Sequence, residues 1–501
     1  MRRIINTLLM LILISSISFA QDQEKSWEPR EPKEFKTSHQ GNFGGKSISY
    51  DAIVGETFIK DSEGEVIGSM WSTSYLKSGG STDSTRPVMF VFNGGPGSAS
   101  VWLHMGFFGP KVVKVDSDAD EDDGAAPYEM VDNSDFLIDL VDLVFVDPIG
   151  TGFSQLEGKG EGKDFWGLNA DARSIAQFMR TWVTKHNRWQ APKFIAGESF
   201  GTTRAALITE VLQGGGQTMA LNGLVLISQA LDYAGSTSTK DNLTSLFTYL
   251  PSQAVTAWYH GKAGQGKTIE EFAQEAREFA YGEYLESLFL AQKQTPEQKN
   301  AIAEKLAYFT GLDKDYILLS DNQILMGRFK KELLRDERKV IGTLDGRFLN
   351  EETEAVAEGP VLGDPSGYMT GAAYTATFND YLMNDLEVKM DRPYYTSSQS
   401  MSGWDWKPSA GGYWEPSYVS TARSLSEAMR RNTQLQVLVA NGYYDLITPF
   451  FDSEFTFSRH EFPQDRIQMT YYEAGHMMYN RQEDFDALSS DIRAFLESNL
   501  K

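Results

Sequence analysis

The sequence has no cysteine, and its lysine and arginine residues form no basic tract. Without cysteine no disulfide can form, so the stability of the fold must come from a packed core. The formal net charge of −23 and the lack of a basic tract argue against nucleic acid as a partner. The 501 residues, 41% of them apolar, suffice for one large domain or for one domain with an elaborated insertion.

Apolar runs long enough to cross a bilayer are also missing from the sequence. The run at residues 4–14 follows Arg2 and Arg3 and precedes a small-x-small sequence at 18–20. A positive start, a short apolar stretch and such a cleavage site are typical of a secretory signal peptide, and the run is too short for a transmembrane helix. We therefore expect residues 1–20 to be a signal peptide, no membrane span, and an exported protein, periplasmic or secreted.

The most informative stretch is Gly-Glu-Ser-Phe-Gly at residues 197–201. The apolar run at 193–196 predicts a strand before it, and residues 202–212 have the pattern of a helix. A G-x-S-x-G turn between strand and helix holds the serine hydroxyl exposed above the end of a central strand. Ser199 is therefore the predicted nucleophile, and the alternative is an ordinary serine at a helix N-cap.

A glycine-rich loop is the second chemical feature. The continuous apolar run at 88–92 predicts a buried parallel strand, which leads into Asn-Gly-Gly-Pro-Gly-Ser at 93–98. Glycine lets backbone N–H groups approach a ligand closely. In hydrolases with a strand–serine–helix turn, this loop supplies one donor to the oxyanion and the residue after the serine supplies the other. We predict Gly95 and Phe200 for these roles; the alternative for the loop is a tight turn.

The choice of a catalytic base is limited, because the chain has six histidines. A serine hydroxyl becomes a good nucleophile only when a histidine takes its proton and an acid holds that histidine. Among the six, His476 is the one in a loop after a late predicted strand, and Asp445 also follows a predicted strand. The order Ser199, Asp445, His476 is that of α/β hydrolases. Asp147 is a competing acid, but it precedes the serine in the chain.

The order of the predicted elements divides the chain into a core and an insertion. Residues 21–45 are polar and are expected to form a loose N-terminal arm. Strand and helix patterns alternate over 46–233 and resume over 432–501, which predicts an α/β-hydrolase core with a mostly parallel central sheet. Helical patterns dominate 234–431, and this insertion is expected to form a large helical cap over the site. No metal or cofactor is expected to take part.

Four segments together resemble the motifs of a known family. They are Asn-Gly-Gly-Pro-Gly-Ser-Ala-Ser at 93–100, Asp-Pro-Ile-Gly-Thr-Gly-Phe-Ser at 147–154, Gly-Glu-Ser-Phe-Gly at 197–201 and Gly-His-Met at 475–477. These are similar to the N-G-G-P-G-x-S-S, D-x-P-x-G-x-G-[FY]-S, G-E-S-Y-A-G and G-H-M sequences of the serine carboxypeptidases, acid carboxypeptidases on the α/β-hydrolase fold. The second segment is one residue shorter than its counterpart. The resemblance extends over about residues 43–500.

The resemblance implies recognition of a peptide's last residue. In the family, the asparagine of the glycine loop and the glutamate before the serine bind the terminal carboxylate of the substrate, and these are Asn93 and Glu198 here. Peptide or protein C-termini would then be the substrates. Two of the differences from the family bear on this role: Val91 stands for a tryptophan, and Phe107 stands for a further glutamate. Both differences are expected to affect the strength of carboxylate recognition.

Three other functions fit part of the sequence. A prolyl aminopeptidase also has a G-G-P-G loop, although Glu198 before the serine and Asn93 at the start of the loop argue against it. Some relatives of this fold pass the acyl group to an alcohol instead of water, and the sequence leaves acyl transfer open. A non-enzymatic binding protein on the same scaffold is disfavoured, because a serine, an acid and a histidine are all present in the expected order.

Overall fold

The fold is that of a computed structural model, which describes residues 30–78, 83–115, 119, 124–398, 403–407 and 418–500. The expected signal peptide and the first part of the expected arm lie outside the described residues. Within the described ranges, no helix is both long enough and apolar enough to cross a membrane.

A ten-stranded sheet organises the molecule. The strands of the chain are β1 Glu34–Phe43, β2 Lys46–Lys60, β3 Val66–Lys77, β4 Val88–Phe92, β5 Lys111–Val113, β6 Met130–Asp132, β7 Asp142–Asp147, β8 Gln155–Leu156, β9 Lys193–Glu198, β10 Gly223–Ile227, β11 Lys339–Ile341, β12 Leu349–Glu351, β13 Gln436–Gly442 and β14 Ile467–Tyr472. The order in the sheet is β1-β2-β3-β7-β4-β9-β10-β13-β14, with β8 beside β3. From β7 to β14 all neighbours are parallel, which confirms the prediction of a mostly parallel sheet.

Helices cover both faces of this sheet. The α-helices are α1 Val101–Leu103, α2 Leu168–Lys185, α3 Phe200–Gln213, α4 Leu243–Tyr259, α5 Ile269–Phe279, α6 Leu285–Leu290, α7 Pro296–Thr310, α8 Lys314–Leu319, α9 Met326–Glu332, α10 Pro365–Asn384, α11 Ala422–Arg431, α12 Phe450–Arg459 and α13 Gln482–Asn499. Helices α2, α3 and α11 contribute to the apolar cluster on one face, and α1, α10 and α13 to the cluster on the other. Strands β4 and β10 are buried at every residue, as expected for parallel strands covered on both faces.

The insertion has an apolar core of its own. Residues of α4, α5, α7, α8 and α9 form a third cluster, which extends to Tyr444 and Phe450 in the segment after β13. The core of the insertion is therefore continuous with the loop that carries Asp445. Helix α11 was also expected in the cap, but it packs against α3 in the sheet layer, because an amphipathic helix has the same sequence pattern in either place.

Part of the expected N-terminal arm is ordered. Residues 34–43 form strand β1, which pairs with β2 along its whole length, so the prediction of a loose arm is wrong for these residues. The strand has no clear apolar pattern to predict it, because backbone hydrogen bonds can hold an edge strand without apolar alternation on either face. Phe43 anchors the end of the strand: it is buried, and its ring centroid lies 5.2 Å from that of Phe136.

A buried ion pair lies beneath the glycine loop. The guanidinium of Arg204 in α3 donates to both carboxylate oxygens of Asp171 in α2, at 2.6 and 3.1 Å. Its third nitrogen donates to the backbone carbonyl of Asn93 at 2.5 Å. Arg204 is 1% exposed, and its charge is compensated by these contacts and by the rings of Phe92 and Phe200 at 5.2 Å. The pair therefore ties two helices to the loop that carries Asn93.

Replacing Asp171 by alanine is expected to destabilise the protein by about 3–5 kcal/mol, because it leaves the Arg204 charge buried and unpaired. Replacing both residues by apolar ones of similar size, Asp171→Leu with Arg204→Met, is expected to cost less than the single change. The measurement is the free energy of unfolding from urea titration. Glu427→Ala, which breaks the exposed pair between Arg423 and Glu427, is the matched control and should change stability little. Equal losses for Asp171→Ala and Glu427→Ala would contradict the expectation.

Candidate active site

Ser199 occupies a strained turn between β9 and α3. Its φ is 58° and its ψ is −129°, a combination that a residue with a side chain rarely adopts. The strain fits the nucleophile turn of α/β hydrolases, in which the serine is held out above the sheet. Although Ser199 precedes α3, its hydroxyl accepts no capping hydrogen bond from the described residues of the helix. The alternative of an ordinary N-cap serine is therefore disfavoured.

The glycine loop and this turn touch through their backbones. A Cβ atom at Gly94 would lie 2.5 Å from the nitrogen of Phe200, so only glycine permits this approach. Phe200 is the first residue of α3, and its N–H therefore has no acceptor within the helix. Gly95, with φ of 102°, lies next in the loop and lines the same cavity as Ser199. The assignment of Gly95 and Phe200 as oxyanion donors remains a prediction that this placement favours.

His476 and Asp445 are in direct contact. The Nδ1 atom of His476 lies 2.7 Å from Oδ2 of Asp445, and both side chains are buried. With Nδ1–H donating to the carboxylate, Nε2 is the basic nitrogen of the imidazole. Burial lowers the pKa of His476, but the neighbouring Asp445 carboxylate outweighs this effect, so the pKa is raised on balance. This is the arrangement in which a histidine can accept a proton from a serine.

Asp445 is held by donors that the sequence analysis did not identify. Its Oδ1 accepts hydrogen bonds from the backbone N–H of Ile447 at 2.8 Å and of Thr448 at 2.9 Å. The Thr448 hydroxyl donates to Oδ2 at 2.7 Å. The bond from Ile447 makes an Asx turn, in which an aspartate accepts from the backbone N–H two residues further on. These donors fix the carboxylate in the position in which it meets His476.

The insertion contributes directly to the histidine loop. The backbone N–H of His476 donates to the carbonyl of Leu344 at 2.6 Å, and that of Gly475 donates to Oδ2 of Asp345 at 2.9 Å. A Cβ atom at Gly475 would lie 2.4 Å from the Leu344 oxygen, so glycine is required there. The segment at 344–345 lies between β11 and β12, within the predicted insertion. The insertion therefore holds the loop of the predicted base as well as covering it.

One cavity brings most of the predicted residues together. Its volume is about 430 Å³. It is lined by Asn93, Gly94, Gly95, Ser98, Trp102, Glu198, Ser199, Leu344, Gly367, Thr370, Ser397, Ile447, His476 and Met477. A larger groove of about 920 Å³ lies between α2 and the end of α3, and its lining residues include no predicted site residue. The smaller cavity is therefore the candidate active site.

Glu198 and Asn93 form a buried pair in the wall of this cavity. The amide nitrogen of Asn93 donates to Oε1 of Glu198 at 2.9 Å. The orientation of that amide is fixed, because its oxygen accepts from the backbone N–H of Leu103 at 3.0 Å. The hydroxyl of Tyr479 donates to Oε2 of Glu198 at 2.6 Å. Tyr479 was missed by the sequence analysis, since it belongs to no motif and meets Glu198 only in the folded chain.

Burial makes the acid form of Glu198 accessible. Desolvation raises the pKa of its carboxyl group, and the charge of Asp445 acts in the same direction. His476 and the hydrogen bonds from Tyr479 and Asn93 lower the pKa, but burial prevails. A neutral carboxyl group can donate a hydrogen bond, and a carboxylate cannot. In its acid form, Glu198 would add a second donor to the amide of Asn93.

Val91 and Phe107, where the resemblance implies a tryptophan and a glutamate, are apolar and buried. Val91 lies in the middle of β4 and is fully buried. Phe107 is 4% exposed, and its ring centroid lies 6.1 Å from that of Tyr479. The glutamate that the family has at this position is thus replaced by an aromatic ring beside Tyr479.

Asp147, the competing acid, contacts no histidine among its described partners. Its Oδ1 accepts from the backbone N–H and the hydroxyl of Ser100, both at 2.8 Å, and from the hydroxyl of Tyr394 at 3.0 Å. Burial raises its pKa to about 6. The residue therefore connects the end of β7 to the helix after the glycine loop, a structural role that fits the motif at 147–154.

In the described part of the chain, no group of three or more His, Asp or Glu side chains is arranged so that it could bind a metal ion. Ser199 and His476 line the cavity and Asp445 contacts His476, and the three follow the chain order of the α/β-hydrolase triad. The fold and the site together define a hydrolase of that class.

Comparison with known proteins identifies the family. The model of the family described as serine carboxypeptidase matches residues 75–489, most of the chain. The chain belongs to the serine carboxypeptidase family, and its enzyme class is that of a serine-type carboxypeptidase. This result confirms the resemblance stated from the four motifs.

Individual relatives are distant. The protein named serine carboxypeptidase-like 16 of Arabidopsis thaliana is 28% identical over 160 residues, 30% of this chain and 35% of that protein. The chain thus spans about a third of the length of this relative. A prohormone-processing carboxypeptidase from Saccharomyces cerevisiae has a similar structure, with a TM-score of 0.52, 15% identity, and coverage of 88% of this chain and 92% of the other. This similarity confirms the α/β-hydrolase fold.

A proline iminopeptidase from Mycobacterium smegmatis has a TM-score of 0.36 at 12% identity, covering 89% of this chain and 98% of the other.

Alanine at Ser199, Asp445 or His476 is expected to lower kcat by about 10⁴–10⁶-fold without unfolding the protein, because the three residues act as a unit. For the same reason, the double variants should be little slower than the single ones. The measurements are kcat with a peptide substrate and Tm. Asp147→Asn is the control for the competing acid, and it should retain most of the activity. Near-full activity of Asp445→Ala, with loss in Asp147→Asn, would show that the acid has been misassigned.

Proposed function

We propose that the protein is an exported serine carboxypeptidase that releases the last residue of peptides through an acyl-enzyme on Ser199. The observation that carries the proposal is the Asn93–Glu198 pair. Both residues line the cavity of Ser199, and Glu198 is adjacent to it in the chain. A group that binds the terminal carboxylate beside the nucleophile restricts cleavage to the bond next to the chain end. Export is proposed from the signal-like sequence at 1–20.

The chemical steps follow from the arrangement of the three residues. His476 takes the proton of the Ser199 hydroxyl through Nε2 as the oxygen attacks the last peptide carbonyl, and Asp445 stabilises the imidazolium. The N–H groups of Gly95 and Phe200 would hold the developing oxyanion, each worth roughly 3 kcal/mol in the transition state. His476 then gives its proton to the departing amine, and the C-terminal residue leaves. Water, activated by the same histidine, hydrolyses the acyl-enzyme.

The direction of attack is the first test. The protein is incubated with an N-blocked dipeptide, which has only a free carboxyl end, and with an aminoacyl amide, which has only a free amino end. Release of the last residue of the blocked dipeptide is expected, because the anion-binding pair lies beside Ser199. The products are separated by chromatography, with Ser199→Ala as the blank. Cleavage of the aminoacyl substrate alone would assign the protein as an aminopeptidase instead.

The second test uses pH. When Glu198 is neutral it can donate to the substrate carboxylate, whereas two carboxylates in one buried site repel each other. KM for a peptide acid is therefore expected to rise as the pH rises through the pKa of Glu198, which burial places above its ordinary value. KM for the matching peptide amide, which has no terminal charge, should stay flat over that range. His476 titrates as well, but its effect applies to both substrates and cancels in their ratio.

Glu198→Gln is the matched variant for the pH test, because glutamine is a neutral donor at every pH. It should flatten the acid-to-amide KM ratio against pH while Tm stays close to that of the wild type. Parallel acid and amide curves in the wild type would remove Glu198 from carboxylate recognition.

A further inference from the structure

The hydroxyl of Tyr479 makes a hydrogen bond that the steps above do not use. It donates to Oε2 of Glu198 at 2.6 Å, a length typical of a bond from a hydroxyl to a carboxylate. Both side chains are buried, so water does not compete for the contact. The other oxygen of Glu198 accepts from Asn93. The carboxyl group is thus held at both oxygens, by an amide that lines the cavity and by a phenol behind it.

Tyr479 is fixed in place by its surroundings. Its ring packs against Phe107. A Cβ atom at Gly106 would lie 2.5 Å from the ring, so the ring packs directly on the backbone of Gly106. Gly106 belongs to the short helical segment that follows α1 and the glycine loop. The hydroxyl therefore stays directed at Glu198, because the helical segment that follows the glycine loop and α1 supports the phenol ring.

The Tyr479 phenol is held in its protonated, donating form. Burial and the charge of Glu198 raise the pKa of its phenol well above the ordinary value, so the hydroxyl keeps its proton. A permanent donor to a carboxylate stabilises the ionised form more than the neutral form. Tyr479 thus opposes the burial that favours neutral Glu198.

We propose that Tyr479 is a positioning residue that holds Glu198 for the terminal carboxylate of the substrate and sets the pH up to which the acid form of Glu198 survives. The inference rests on the proposed carboxypeptidase function. The other groups that act on Glu198 are His476 and Asp445, from the two loops of the predicted triad, and Asn93 from the glycine loop. The two triad residues serve every substrate alike, so a comparison of acid and amide substrates isolates Glu198 and its two donors.

The test is Tyr479→Phe, which removes the hydroxyl and keeps the ring. Without this donor the ionised form of Glu198 loses stabilisation, so the rise in the acid-to-amide KM ratio is expected about one pH unit higher than in the wild type. Loss of orientation should also raise KM for the acid at low pH, with kcat for the amide little changed. The measurement is KM and kcat against pH for a blocked peptide acid and its amide.

Tyr374→Phe is the matched control. Tyr374 is a buried tyrosine of the same neighbourhood, and its hydroxyl donates to Asn480 at 2.8 Å instead of to Glu198. Loss of the Tyr374 hydroxyl should leave the acid-to-amide KM ratio and its pH dependence unchanged. In the Glu198→Gln background, Tyr479→Phe should likewise leave the pH dependence of the acid-to-amide KM ratio unchanged, because the titrating group is gone.

A second substitution should shift the rise in the KM ratio in the opposite direction, and it can be used if Tyr479→Phe does not fold. With 3-fluorotyrosine placed at position 479 alone, the phenol is more acidic and donates more strongly, so the rise in the KM ratio should move to lower pH. A shift in the same direction as for phenylalanine would overturn the proposal.

Failure of the inference can be distinguished from failure of the proposed function. If Tyr479→Phe changes acid and amide kinetics equally, or leaves the position of the KM rise unchanged, Tyr479 has a merely structural role and the inference is overturned while the function stands. If the wild type releases no C-terminal residue from the blocked peptide, the proposed function itself falls, and the inference with it.

Discussion

The close approach of two backbones is the constraint on which the site depends. Strands β4 and β9 are parallel neighbours, so the glycine loop and the serine turn leave the sheet at the same edge, side by side. The missing side chain of Gly94 lets the loop reach the nitrogen of Phe200. From this one contact follow the position of the predicted oxyanion donors, the meeting of Asn93 with Glu198, and the place of Arg204 beneath both. A side chain at Gly94 would separate all of them.

The insertion contacts two of the loops that carry the predicted triad. Leu344 and Asp345 bind the backbone on either side of the peptide that leads into His476, and the apolar core of the insertion extends to the residue before Asp445. Two of the three triad loops therefore depend on a segment that the sequence analysis treated as a cover. A change in the position of the insertion would be transmitted to the predicted base through two short hydrogen bonds.

The sequence predicted what depends on local pattern and chain order. The serine turn, the glycine loop and the order of Ser199, Asp445 and His476 each have a local signature, and together they pointed to the family whose model matches residues 75–489. Tyr479 and Asp345 were missed because their partners are about 280 and 130 residues away in the chain, and a tyrosine or an aspartate has no signature for such a contact. Strand β1 was missed for a related reason, because its pairing is made by the backbone rather than by an apolar pattern.

Glu198, a carboxyl group, is proposed to bind the carboxylate of the substrate, a role for which a positively charged side chain would be the usual choice. The arginine near the site is already engaged in other contacts. Arg204 is the guanidinium beneath the glycine loop, but its charge is bound by Asp171 and by the Asn93 carbonyl, so it is committed to the fold. A buried glutamate supplies instead a donor that exists only when it is protonated. Burial favours protonated Glu198 and the hydrogen bond from Tyr479 favours the ionised form, so these two opposing effects help to set the pKa of Glu198. Under the proposed function, recognition of the terminal carboxylate would therefore depend on pH, which recognition by a permanently charged arginine would not.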